Sequence, residues 1–154
     1  MAVALGNHGL VAVDLARPRP VGWHGALTAH RIGDGYSVAL RPLGAGVRAG
    51  ATFFGLSAGV SLLTDADFGA TGGVTLEQPL GPLHASLHGD LERPFTSGAP
   101  WTEVGALTLR LGGDRAYWPQ ASAGIGPAVT GAVACTDGNC AWAALLGLQL
   151  YGVD

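Results

Sequence analysis

The chain has 154 residues, 26 of them glycine, with 12% charged residues and a formal net charge of −3. A soluble domain carries roughly 25% charged residues, so this chain lacks the material for a charged exterior. It nevertheless has no run of 18 apolar residues, which excludes a transmembrane helix, and its arginines form no basic stripe, which argues against a nucleic-acid partner.

Hydrophobicity without a hydrophobic run is compatible with alternating strands closed into a barrel, where every backbone group is paired between strands. Residues 1–20 read as a lead-in, a plug in the lumen or an extra strand. Val3, Leu5, Val11 and Val13 suggest a strand, and Arg17-Pro18-Arg19-Pro20 ends it. Met1 to Leu5 lack the basic flank and continuous apolar core of a signal peptide. Residues 21–154 read as one barrel domain. Its first strand is Val21–Ile32, with Val21, Trp23, Leu27 and Ala29 on one face and His24, Thr28 and His30 on the other. Gly33-Asp34-Gly35 turns it. Tyr36–Leu43 sets Tyr36, Val38 and Leu40 against Ser37, Ala39 and Arg41, and Gly44-Ala45-Gly46 is predicted to turn. Val47–Leu63 follows as a long strand with a bulge near Thr52-Phe53-Phe54. Phe54, Leu56, Ala58, Val60 and Leu62 oppose Gly55, Ser57, Gly59 and Ser61.

Thr64–Ala70 reads as a longer loop. Thr71–Gln78 sets Val74 and Leu76 against Thr75 and Glu77, and Pro79 to Pro82 turns. In the next strand Leu83, Ala85, Leu87 and Leu91 alternate with His84, Ser86, His88 and Asp90. Arg93–Pro100 is a second longer loop. Trp101–Leu111 sets Leu107, Leu109 and Leu111 against Thr102, Thr108 and Arg110, and Gly112-Gly113-Asp114 turns. A strand from Arg115 to Thr136 is interrupted by Pro119 and Pro127, and Asn139–Val153 is the last.

The final hairpin carries the clearest signal. Asp137-Gly138 is a strong type I′ turn signal. It pairs Thr136 with Asn139 and places Cys135 opposite Cys140 at a non-hydrogen-bonded pair, where a cross-strand disulfide fits. A disulfide implies an oxidising compartment. On the cysteine face lie Ile125, Val129, Val133, Trp142, Leu146, Leu148 and Leu150, and the other face is small. Strands of about fourteen residues exceed the usual five or six. The count is eight, and tight turns on one side with longer loops on the other match an outer-membrane barrel. Tyr36, Trp101, Tyr117, Trp118 and Trp142 lie near strand ends, as aromatic girdles do.

By strand count, length and alternation over residues 21–153, the chain resembles the small eight-stranded bacterial outer-membrane barrels of the OmpA membrane-domain and OmpX type. The resemblance implies an antiparallel up-and-down transmembrane β-barrel, monomeric, in contact with membrane lipid in a bacterial outer membrane. Such proteins usually end in an aromatic residue. This chain departs from them in ending Leu150-Tyr151-Gly152-Val153-Asp154.

With the apolar faces toward lipid, His24, His30, Arg41, Glu77, His84, His88, Asp90 and Arg110 fall inside. An eight-stranded lumen is just wide enough for side chains to fill, so the expectation is a closed polar core of ion pairs and hydrogen bonds. The role is then structural or interactive, with no cofactor, no catalysis and no assigned protein partner. Other readings stay open. His84 and Ser86 share a face with Asp90 beyond them, the base, nucleophile and orienter of acyl transfer. Lipid A deacylases of the outer membrane are similar in size and carry a His-x-Ser pair, but their following Asn is Leu87 here. His24, His30, His84 and His88 could meet as metal ligands, although nothing in the spacing fixes them, and no metal is assigned. A lumen lined by small residues would be a narrow pore. A soluble lipocalin-like ligand-binding or assembly barrel would use the same strands inverted, apolar inside.

Overall fold

Period-two alternation organises the chain into strands. A computed structural model describes residues 9–16, 21–32, 35–63, 67–111 and 123–152, without the side chains of 9–16, 32, 35, 123–125 and 148–152. Nine strands follow in chain order. They are β1 (Gly9–Ala16), β2 (Val21–Ile32), β3 (Gly35–Ala49), β4 (Thr52–Leu63), β5 (Phe68–Leu80), β6 (Leu83–Pro94), β7 (Thr102–Leu111), β8 (Ala123–Thr136) and β9 (Asn139–Gly152). All lie in one sheet in sequence order, each antiparallel to the next. The fold is therefore all-β, antiparallel and up-and-down. The eight strands from Val21 onward are those the alternation predicts, and Gly9–Ala16 adds a ninth on the edge of β2. Residues 1–8 and 17–20 lie outside the described residues.

The sheet curls without closing. Among the described residues no ladder joins β1 to β9, so the expected closed barrel is corrected to an open one. Curling is evident from contacts across the interior. Thr28 on β2 and Ser37 on β3 both reach side chains on β6, and β2 approaches β8 and β9.

The C-terminal hairpin has the predicted register, with Thr136 opposite Asn139 and Cys135 opposite Cys140. Asp137 and Gly138 both take positive φ, 51° and 75°, as a type I′ turn requires. The cysteines are disulfide-bonded with Cα atoms 4.0 Å apart. Val129, Val133, Trp142 and Leu146 are exposed on one face, while Ala128, Thr130, Ala132, Ala143 and Leu145 are buried on the other. Pro127 stays in register opposite Leu148. The predicted turn at Gly112-Gly113-Asp114, the strand start at Arg115, and Tyr117, Trp118 and Pro119 lie outside the described residues.

Several features differ from the sequence expectation. Gly44-Ala45-Gly46 is not a turn: β3 runs through it to Ala49, and the chain turns at Gly50-Ala51. The glycines answer a packing demand, since a Cβ on Gly44 would lie 2.1 Å from the Leu56 carbonyl oxygen. Thr64–Ala70 is not a long loop either, because Phe68-Gly69-Ala70 continues the β4–β5 ladder. The bulge is absent from Thr52–Phe54, where β3 and β4 stay in register. It sits between Leu40 and Leu43, where Arg41 and Pro42 oppose Gly59 alone, and a matching irregularity lies between Trp23 and Ala26 on β2. Proline is tolerated at a bulge because no ladder donor is needed there. The Trp23 Nε1–H donates to the Pro42 carbonyl at 2.7 Å.

Candidate functional site

The two faces of the sheet have opposite chemistry. Every strand from β2 to β9 exposes large apolar side chains, such as Leu27, Leu40, Leu56, Val74, Leu87, Leu109, Val129 and Leu146. The enclosed face buries His24, Thr28, His30, Ser37, Arg41, Ser57, Ser61, Thr71, Thr75, Ser86, Glu92, Thr108, Arg110 and Thr130. The inverted arrangement of a soluble ligand-binding barrel, apolar inside, is not the one these strands adopt.

The interior polar groups centre on Arg41. The bulge on β3 delivers its side chain inward, where Nη1 lies 3.0 Å from Asp90 Oδ1 of β6, with both side chains buried. The pair packs over Gly73 of β5, where a Cβ would sit 2.6 Å from Asp90 Oδ1. The Thr28 hydroxyl donates to the other oxygen, Asp90 Oδ2, at 3.3 Å. One turn of alternation along β6, Glu92 is fully buried and accepts a 2.7 Å hydrogen bond from Ser37 Oγ. These contacts tie β2 and β3 to β6, four and three strands away around the sheet. Neutral partners alone would not offset burying these charges; the Arg41–Asp90 pair with its added hydroxyls recovers part of that cost, while among the described residues Arg41 Nε and Glu92 Oε2 find no hydrogen-bond partner.

Below this cluster, His84 Nε2 lies 3.7 Å from Glu77 Oε2. His88 Nδ1 is 3.4 Å from the Thr75 hydroxyl. Arg110 is buried on β7 at the position opposite His84. Thr108 and Thr130 share a hydrogen bond of 2.8 Å. His24 packs its ring edge-on against Phe53, with centroids 5.4 Å apart, and lies where a side chain on Gly55 would be, 2.7 Å from its would-be Cβ. His30 is buried on the same face, opposite Ser37.

All eight side chains predicted to line the lumen are thus on the enclosed face, with Glu77 and His84 partly exposed toward one end. Glu92 was the inner charge that sequence reasoning missed. Carrying the alternation of His84, Ser86, His88 and Asp90 one step further reaches it, just before the loop expected from Arg93, and β6 in fact runs on to Pro94.

The acyl-transfer arrangement is not assembled. Ser86 is 1% exposed and, among the described residues, its Oγ has no hydrogen-bond partner. His84 turns to Glu77, and Asp90 is held by Arg41 and Thr28. The histidines are likewise distributed rather than gathered: among the described residues no group of three or more His, Cys, Asp or Glu side chains is placed to hold a metal ion.

No protein-family model, curated protein or solved structure matches this chain.

Proposed function

We propose that the chain is an integral β-barrel of a bacterial outer membrane. Its role is structural or interactive, and its interior is a polar core held shut by Arg41, Asp90, Glu92 and their hydroxyl partners. One observation carries this reading: large apolar side chains line the exposed face along every strand from β2 to β9, while His24, His30, Arg41, Asp90, Glu92 and Arg110 are inside and the outward charges Arg31, Arg93 and Glu103 lie near strand ends. Fully burying a Leu or Val contributes about 1.5–3 kcal/mol. In water this face would forgo that gain on every strand, and a monomeric soluble protein rarely exposes a contiguous apolar patch above a few hundred Å². Contact with hydrocarbon recovers it. Tyr36, Phe68, Phe95, Trp101 and Trp142 are all exposed at the end that carries the disulfide hairpin, and an aromatic girdle belongs at the membrane interface. Lipid is the partner this surface fits, and the barrel is monomeric in this reading.

A narrow pore is the second reading. It is favoured by the buried hydroxyls of Ser57, Ser61 and Ser86, which find no partner among the described residues and so would be hydrated.

The test is folding into detergent micelles, followed by far-UV circular dichroism and by gel mobility in SDS with and without boiling. A β-rich spectrum that requires detergent, with a mobility shift on boiling, supports the membrane barrel. A chain that is β-rich and monomeric in buffer alone overturns it. Conductance across a planar bilayer then separates a closed core from a pore.

A further inference from the structure

The outer face is not uniformly lined with side chains. A groove of about 770 Å³ runs over β4 to β7. Its floor is the bare backbone at Gly72, its walls include Leu56, Leu91 and Trp101, and at Gly89 the Val74 side chain covers the backbone, with Cγ2 3.2 Å from a would-be Cβ. A Cβ added at Gly72 would meet only the Ser57 carbonyl oxygen, at 3.8 Å, so the groove is open over Gly72. It ends at the aromatic rim, and there its chemistry changes. Arg93 lies over the Trp101 ring, 4.8 Å from the centroid. Glu103 stands opposite Leu91, one alternation step inward from Arg93 on the same face. Among the described residues neither charge has an ion-pair partner, and both line the groove.

We propose that this groove holds one zwitterionic phospholipid of the phosphoethanolamine class. An acyl chain lies over Gly72 between Leu56 and Leu91, the phosphate meets Arg93, and the ammonium meets Glu103. The assignment rests on the membrane reading above. Charge complementarity selects the occupant. Guanidinium is the preferred partner for phosphate, and its stacking on Trp101 fixes it in place. Glu103 is exposed at the rim of the groove, and a headgroup that covered it without bringing a cation would bury its charge unpaired. An anionic headgroup would leave Glu103 unmatched, and a neutral diacylglycerol would leave both charges unmatched. The apolar slot with a charge of each sign at its interfacial end therefore fits an amphiphile carrying both.

The experiment uses the full chain folded in a neutral, non-ionic detergent, with folding first checked by the heat-dependent gel shift. Lipid retained after delipidation is counted by native mass spectrometry. The competing probes are phosphatidylethanolamine, phosphatidylglycerol and diacylglycerol at equal mole fraction. The expected result is a one-to-one adduct with phosphatidylethanolamine in preference to the other two. Arg93→Ala lowers its retention about tenfold. Glu103→Gln erases the preference over phosphatidylglycerol, and Gly72→Leu, which fills the slot without touching the backbone, abolishes the adduct. A folded barrel that retains all three lipids equally, or whose adducts survive Gly72→Leu and Arg93→Ala, overturns the groove and leaves the membrane reading standing. A chain that folds in buffer and shows no gel shift overturns both.

Discussion

Arg41 is 2% exposed, its guanidinium 3.0 Å from Asp90, with Thr71 on the same nitrogen at 3.5 Å. That both residues point inward was legible, because alternation assigns a face to each position. That they meet was not, because β3 and β6 are not ladder neighbours and the pairing depends on how tightly the sheet curls. A buried ion pair is a weak net stabiliser, but removing one partner strands the other. Arg41→Met should therefore cost about 3–5 kcal/mol, and Asp90→Leu alone a comparable amount. The double substitution should be less damaging than the sum of the two, because no charge of the pair remains. Urea unfolding in micelles measures all three, and strict additivity would show that the pair is not coupled.

At the scale of the element, the β3–β4 ladder shows what sequence pattern reveals and what it hides. The alternation of Phe54, Leu56, Val60 against Ser57 and Ser61 survives intact. Turn signals were less reliable, because glycine serves two purposes in this chain. At Gly138 it supplies a positive φ. At Gly59 it permits approach: a Cβ there would sit 2.0 Å from the Leu40 carbonyl oxygen and 2.7 Å from Arg41 Cα, which is backbone on both counts. Composition cannot separate these uses, and so the Gly44–Gly46 stretch read as a turn while the bulge at Arg41-Pro42 went unseen. The distinction has a measurable consequence. Gly59→Ala should destabilise by about 1–3 kcal/mol or more, since the bulge must shift to admit a methyl group. Gly131→Ala, where nothing lies within 4 Å of the added carbon, should be neutral or stabilise by about 0.4–1 kcal/mol. Equal effects at the two sites in denaturant midpoints would refute the close-approach argument. The same ladder places Arg41, so Gly59→Ala should also perturb the Arg41–Asp90 pair.

For the whole molecule, strand parity decides how the sheet can close. Neighbours are antiparallel throughout, so nine strands leave β1 and β9 running in the same direction, while β2 and β9 run in opposite directions. Antiparallel closure, the arrangement of single-chain bacterial barrels, is open to the eight strands from β2 to β9 and not to all nine. β1 occupies the edge of β2 that such a closure needs, and it is β2 that approaches β8 and β9. The eight-strand count was readable from the alternation between Val21 and Val153. The ninth strand was only one of three options, because Val11 and Val13 alternate over too short a span to fix a partner. Removing residues 1–16 should then leave a chain that still folds in detergent and keeps its heat-dependent gel shift. Its β9 amides, which among the described residues have no ladder partner beyond β8, should become protected from hydrogen exchange as β9 takes the vacated edge of β2. If β1 is instead integral to the wall, the truncated chain should lose the gel shift and its β9 amides should exchange faster than before. The direction of the change in β9 protection distinguishes a strand that blocks closure from one that is part of the wall.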